Sequence, residues 1–193
     1  FRSIGLDRRV ALWQVRALDR LAKKDRMPLF DHGINAATDL QNEPTANLPL
    51  MPQSEHVIQD YRSLSLSLKA HPVSFLRGAF SMQKILPCRA LEDIRNNSLI
   101  EIVGLVVVRQ RPGSAKGVVF MTLEDETGIG NVIVWPKIFD QYRSIVMSAR
   151  LVRVKGKLQK SDGITHLIAH SLDDATPMLA AITEQGLFAA NQQ

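Results

Sequence analysis

The sequence predicts an α+β fold: a small five-stranded β-barrel preceded by helical segments and a linker. Three observations predict it. Residues 102–136 read IVGLVVVRQRPGSAKGVVFMTLEDETGIGNVIVWP, three apolar runs separated by two polar, glycine-bearing turns. Pro136 then opens a segment with helical spacing. Beyond it the period returns to two, with Val152, Val154 and Leu158 on one side and Arg153, Lys155 and Lys157 on the other.

Each element has its own signal. In the first strand Ile102, Gly104, Val106 and Val108 alternate with Val103, Leu105 and Val107, so both faces are partly covered. Gly104 permits the strong bend that closing a small barrel requires. The second strand spans Val118 to Asp125 and the third Ile129 to Trp135. A helix from Lys137 to Met147 carries Ile138, Phe139, Tyr142 and Val146 on one side. The fourth strand runs from Leu151 to Gln159, Ser161-Asp162-Gly163 turns the chain, and the fifth runs from Thr165 to Leu172. Three strands, a helix and two strands within about 80 residues is the element order of an OB-fold, a five-stranded Greek-key barrel. An immunoglobulin-like sandwich has about seven strands and no such helix.

Upstream, Asp7 caps a helix running to about Lys24, with Val10, Trp13, Ala17, Leu18 and Leu21 as an apolar stripe. Pro28 limits it. Residues 27–54 mix Pro28, Pro44, Pro49 and Pro52 with polar residues and read as a linker. Val57, Ile58, Tyr61 and Leu64 mark a second helical patch, and Pro72, Val73, Leu76 and Phe80 a third. The expected organisation is therefore helix at 1–26, linker at 27–54, helical lead-in at 55–87, barrel at 88–176 and tail at 177–193.

The 193 residues carry a formal charge of +5, and the pI near 9.6 permits a polyanionic partner without demanding one. The chain begins at Phe1, which reads as a fragment of something longer or a processed product. One cysteine, Cys88, excludes an intrachain disulfide and fits a reducing cytoplasm. No apolar run approaches the roughly 20 residues that span a bilayer, and no signal-peptide pattern is present, so a membrane is not expected.

Several chemistries are disfavoured. His32, His56, His71, His166 and His170 lack metal spacing. His166 and His170 sit about 13 Å apart along one strand face. Gly113-Ser114-Ala115-Lys116-Gly117 lacks the spacing of a phosphate-binding loop. No Asp-x-Asp motif occurs, and the adjacent Asp173 and Asp174 point to opposite strand faces. Glu124, Asp125 and Glu126 are the densest acidic cluster, but alternation and turn geometry send their side chains apart. Their expected work is hairpin closure, with Asp125 accepting backbone N–H bonds. No catalytic residue and no metal or other cofactor is expected in this chain.

Binding chemistry is better represented. Arg109, Arg111 and Lys116 surround the first turn, which in an OB-fold borders the oligonucleotide groove. They could neutralise phosphates, or simply solvate a turn. Arg153, Lys155 and Lys157 form a one-sided basic ladder of about 13 Å, matching two or three phosphates or an exposed outer strand face. Phe120 and Trp135 could stack on bases. The expectation for Phe120 is the barrel core, while Trp135 is open between the two. Cys88 is expected as a small buried apolar group.

The run RQRPGSAKGVVFMTLEDETG followed by IVWP closely resembles the C-terminal OB domain of bacterial C-family DNA polymerases, in their error-prone, damage-tolerance branch. FRSIGLDRRVALWQVRAL, residues 1–18, is similar to the end of that family's helix-hairpin-helix region, and YRSLSLSLKAHPVSFLR, residues 61–77, to the approach to its OB domain. The resemblance covers residues 1–176; the tail from Met178 does not share it. It implies a parent DNA-directed DNA polymerase that uses magnesium ions held by upstream aspartates. It implies for this segment the holding of single-stranded template DNA and contact with damage-tolerance proteins in the cytoplasm. Arg26-Met27-Pro28-Leu29-Phe30 is similar to the sliding-clamp peptide Gln-Leu-x-Leu-Phe, with Arg26 in place of glutamine. Met27, Leu29 and Phe30 are thus clamp-binding candidates, or Leu29 and Phe30 pack on the preceding helix. A stand-alone OB module and a tRNA anticodon-binding domain are the rival readings, and residues 1–18 argue against both.

Overall fold

The computed structural model describes residues 5–24, 48, 50–161 and 163–182. The chain divides into two compact units, Phe1–Pro52 with Gln192–Gln193, and Gln53–Asn191. In the first, helix α1 (Arg8–Lys24) begins where expected. The Asp7 carboxylate accepts from the Arg9 N–H at 3.3 Å, satisfying one of the orphan donors of the first turn. It also accepts from the Met51 N–H at 3.4 Å. Trp13 is half-exposed, whereas Ala11 is buried.

The second unit opens with α2 (Gln53–Leu64), a 3-10 turn (Pro72–Leu76) and α3 (Arg77–Met82). His71 caps the 3-10 turn: its Nδ1 accepts from the Val73 N–H at 3.2 Å. A second 3-10 turn, Cys88–Glu92, leads into the barrel. The strands are β1 (Leu99–Gln110), β2 (Val119–Asp125), β3 (Gly128–Val134), β4 (Leu151–Ser161) and β5 (Ile164–Asp174). They close in the order β1-β2-β3-β5-β4. All neighbours are antiparallel except β3 and β5, which are parallel. The fold is therefore the five-stranded OB barrel that the element order predicted.

Two glycines allow the closure by close approach. A Cβ on Gly104 would lie 2.9 Å from the Leu123 Cβ, and one on Gly156 would lie 2.2 Å from the Ile168 carbonyl oxygen. Strand β4 alternates as its sequence does, with Val152, Val154, Gly156 and Leu158 buried. The segment after β3 is two short helices, α4 (Pro136–Gln141) and α5 (Arg143–Ser148), in place of the single helix expected. The chain bends at Tyr142, where φ is −113° and ψ 24°, outside the helical region. Phe139 and Val146 from these helices enter the barrel core beside Ile102, Met121, Leu123, Val154 and Leu167.

A second apolar cluster joins the helical lead-in to the barrel wall. It unites Ile58, Val73, Leu76 and Phe80 with Val103 and Leu151, and with Ile182 from a helical stretch at residues 176–182. No helix among the described residues is long and apolar enough to cross a membrane.

Candidate nucleic-acid interface

The outer face of the barrel is set by strand parity. Val119, Met121, Leu123 and Asp125 point inward and are buried, so Phe120, Thr122 and Glu124 point outward. Phe120 is 36% exposed, and the expectation of a core position is corrected. Its own strand carried the signal, since it shares parity with Thr122 and Glu124. The pairing register extends this face around the barrel. Phe120 faces Ile133, Ile133 faces Ile168, and Ile168 faces Lys157. One step along, Thr122 faces Asn131, Asn131 faces His166, and His166 faces Gln159. A row rich in apolar side chains, ending in a cation, thus runs beside a row of hydrogen-bonding side chains. Trp135, 52% exposed, stands at the end of β3 and begins α4.

The basic first loop separates into different roles. The β1–β2 register shifts between Val106 and Val108. The extra residue, Val107, inverts the parity of the residues after it. Arg109 therefore pairs with the inward-facing Met121 and turns to the helices at the barrel end. Its Nε donates to the Val146 carbonyl at 2.7 Å, and its Nη2 donates to the Ala149 carbonyl. A cation there satisfies the last carbonyls of α5. The guanidinium of Arg109, an expected phosphate contact, thus lies against the barrel end. Arg111 follows the same parity and stacks over the Phe139 ring, 4.7 Å from its centroid, while remaining exposed. Lys116 is exposed in the loop, in a left-handed conformation with φ 47°.

The basic ladder on β4 is also divided. Arg153 forms an ion pair with Glu101 on β1 and donates to Gln83 Oε1 at 3.0 Å. That contact ties the lead-in to the barrel, so Arg153, an expected phosphate contact, is engaged with Glu101 and Gln83. Lys155 and Lys157 are exposed as expected. Glu101 faces Lys155 across the β1–β4 pair, so Lys157, beside Ile168, is the member that continues the apolar row.

Asp125 is the buried charged residue of the described barrel. Its Oδ1 accepts from the Thr127 N–H at 2.8 Å, the Thr127 hydroxyl at 2.6 Å and the Gly128 N–H at 3.1 Å. Its Oδ2 accepts from the Cys88 N–H at 2.7 Å and Arg77 Nη2 at 2.9 Å. Burial alone would raise its pKa. The Thr127 hydroxyl, the Cys88 and Thr127 N–H groups and the Arg77 charge outweigh burial, and the carboxyl lies below its ordinary value. Glu126 binds the same guanidinium. The expected divergence of the acidic side chains is thus corrected for Asp125 and Glu126, which converge on Arg77. The Arg77 guanidinium binds both carboxylates, and backbone N–H groups also donate to Asp125. Among the described residues no group of three or more His, Cys, Asp or Glu could hold a metal ion. Cys88 is buried, and burial, followed by the Asp125 charge, pushes its thiol pKa far up. Met27, Leu29 and Phe30 lie outside the described residues.

Comparison with known proteins agrees with this geometry. Residues 94–175 match the profile of the OB-fold nucleic acid binding domain. The chain is 55% identical over 185 residues to error-prone DNA polymerase 1 of Rhizobium meliloti, covering 96% of this chain and 16% of that protein. It is 52% identical to the error-prone DNA polymerase of Sinorhizobium medicae, covering 100% of this chain and 17% of that one. Asparaginyl-tRNA synthetase from Pyrococcus horikoshii superposes on 47% of the chain and 22% of its own, at 17% identity and a TM-score of 0.41. Over nearly its whole length the chain is similar to proteins named error-prone DNA polymerases, and it spans about one sixth of the length of those relatives.

Proposed function

We propose that this segment holds single-stranded template DNA for an error-prone DNA polymerase acting in damage tolerance and translesion synthesis. The observation that carries the proposal is Phe120, outward on the β2–β3 face of an OB barrel beside Ile133. An exposed ring on such a sheet can stack on any base, and stacking is sequence-tolerant. Arg111 and Lys116 at one edge and Lys157 at the other supply cations for the backbone. A strand crossing the barrel perpendicular to the β-strands meets both edges. Lys157 and Ile133 are two strand spacings apart, about 10 Å.

Template-directed nucleotidyl transfer, with its magnesium ions, is proposed for the polymerase as a whole. Asp125 and Glu126 serve structure in this segment and carry no step of it. Contact with the sliding clamp through Met27, Leu29 and Phe30, and a cytoplasmic location, belong to the same proposal on sequence grounds alone. The anticodon-binding alternative is less favoured, because the relatives most similar over nearly the whole chain are named DNA polymerases. Fluorescence anisotropy with a labelled 20-nucleotide single strand tests the reading. Binding that weakens steeply with salt is expected; no binding at low salt would refute it.

A further inference from the structure

The end of α2 and the loop after it present apolar side chains to water. Residues 63–68 read Ser-Leu-Ser-Leu-Ser-Leu. Leu64, Leu66 and Leu68 are 67%, 52% and 97% exposed. Four residue steps separate the first from the last, a reach of at most about 14 Å. A single exposed leucine is ordinary, but three this close form an apolar patch of the kind that marks a contact site.

Specific bonds hold this outward display. Ser65 turns the chain out of the helix in the left-handed conformation, φ 60°, while its N–H donates to the Tyr61 carbonyl at 3.1 Å. Asp60 on α2 then holds the chain that follows. Its carboxylate accepts from the Ser67 hydroxyl at 3.0 Å and pairs with the Lys69 ammonium at 3.3 Å. The Ser67 oxygen in turn accepts from the Lys69 N–H at 3.2 Å. Ser67 is thus half-buried against α2, and Leu66 and Leu68 on either side of it are exposed. The ends of the loop meet where the Tyr61 and His71 rings pack edge to face, 6.3 Å between centroids. Beyond it, Arg77 binds Asp125 and Glu126 of the β2–β3 hairpin. A short, pinned path therefore joins the three leucines to the barrel.

We propose that Leu64, Leu66 and Leu68 form a docking knob for the part of the polymerase chain outside this segment, seated there in an apolar pocket with a carboxylate facing Arg62. Two observations name the occupant. The similar polymerases are about six times as long as this chain, so most of their surface lies outside it. Arg62, exposed in the last turn of α2, gives the apolar patch a cationic border. Seating the knob fixes the barrel through the Arg77 link, and so fixes where the outer β2–β3 face stands relative to the rest of the polymerase. This inference rests on the proposed polymerase parent.

The test uses the full-length protein with Leu68→Cys, treated with a polar maleimide and followed at the modified peptide by mass spectrometry. Leu64 and Leu66 stay in place to hold the contact. Labelling of the native protein is expected to be slower than in urea by about tenfold or more, since a seated side chain reacts only when the contact opens. With p-benzoylphenylalanine in place of Leu68, the expected crosslink is to a peptide of the same molecule outside these 193 residues. Equal labelling rates in the native and unfolded protein would overturn the knob. A crosslink between two molecules, with protection lost on dilution, would overturn it in favour of a second copy, and a crosslink within the segment would overturn it as well. Primer extension by the same preparation is read separately. An inactive protein with Leu68 protected would refute the polymerase reading and leave the docking intact; an active one with Leu68 freely labelled would do the reverse.

Discussion

Arg77 of the helical lead-in and Asp125 at the tip of the β2–β3 hairpin lie 48 residues apart in sequence and form an ion pair, Nη2 to Oδ2 at 2.9 Å. The same carboxylate binds the Cys88 N–H and closes the hairpin through Thr127. One side chain therefore fixes three segments that the chain supplies separately. Removing Asp125 leaves Arg77 paired with Glu126 but strips the Cys88, Thr127 and Gly128 N–H groups of their acceptor. Asp125→Ala is expected to destabilise the folded chain by about 3 kcal/mol, because a buried donor left without a partner costs about 1–3 kcal/mol. Glu126→Ala, at a partly exposed position, is expected to lose about 1 kcal/mol or less. Urea denaturation of the two variants checks this; equal losses would place the stabilisation elsewhere.

The same network sets an acid limit. The folded-state pKa of Asp125 lies below its ordinary value, and the unfolded value is about 3.9. As pH falls, the unfolded chain therefore takes up the proton first. The contribution is fully present above about pH 4 and is lost as the pH falls through the folded-state value. His71 acts earlier. Burial lowers its pKa, although Glu124, Glu126 and Asp125 oppose the shift. Its share is present above about pH 6.5 and declines below it. Thermal melts from pH 7 to pH 3 should show His71→Gln flattening the upper part of this decline and Asp125→Asn the lower part. Melting temperatures of both variants that fall in parallel with wild type would contradict the assignment.

Gly156 marks where β4 and β5 come closest. An alanine there would place its Cβ against the Ile168 carbonyl oxygen, which is backbone and cannot rotate away. Gly156→Ala is expected to destabilise by about 2 kcal/mol or more through overpacking. A loss below about 0.5 kcal/mol would mean that the closure is looser than described.

Phosphate contacts and structural cations should separate in salt titrations. Arg111→Ala with Lys116→Ala should lower the slope of log affinity against log salt by about 1 to 1.4 units, at roughly 0.7 for each phosphate lost. Arg109→Ala should instead reduce thermal stability and leave the slope unchanged, because its guanidinium serves the Val146 and Ala149 carbonyls. A slope that responds to Arg109 and not to the other pair would reverse these roles.

The barrel was legible because its signals are local. Alternation in Leu151–Gln159, the Ser161-Asp162-Gly163 turn and Pro136 each act within a few residues. The features that escaped depend on single-residue register or long separation. The bulge at Val107 inverts the face of Arg109, and nothing in VVVRQR marks which valine is extra. Arg153 meets Glu101 and Gln83 only once β4 lies beside β1 and the lead-in. Arg77 was unremarkable in its own segment, since its two carboxylates lie almost fifty positions downstream. Phe120 was legible and misread: its size favoured the core, but its parity with Thr122 and Glu124 placed it outside.

The central claim is that single-stranded nucleic acid lies across the outer β2–β3 face. Anisotropy of a labelled single strand with wild type and Phe120→Ala, at several salt concentrations, tests it most directly. Loss of a stacking ring is worth about 1–3 kcal/mol per base. Affinity should fall by about tenfold or more, with the salt slope unchanged because no phosphate contact is removed. A folded Phe120→Ala variant that binds as tightly as wild type would contradict the claim and place the strand on another face of the barrel.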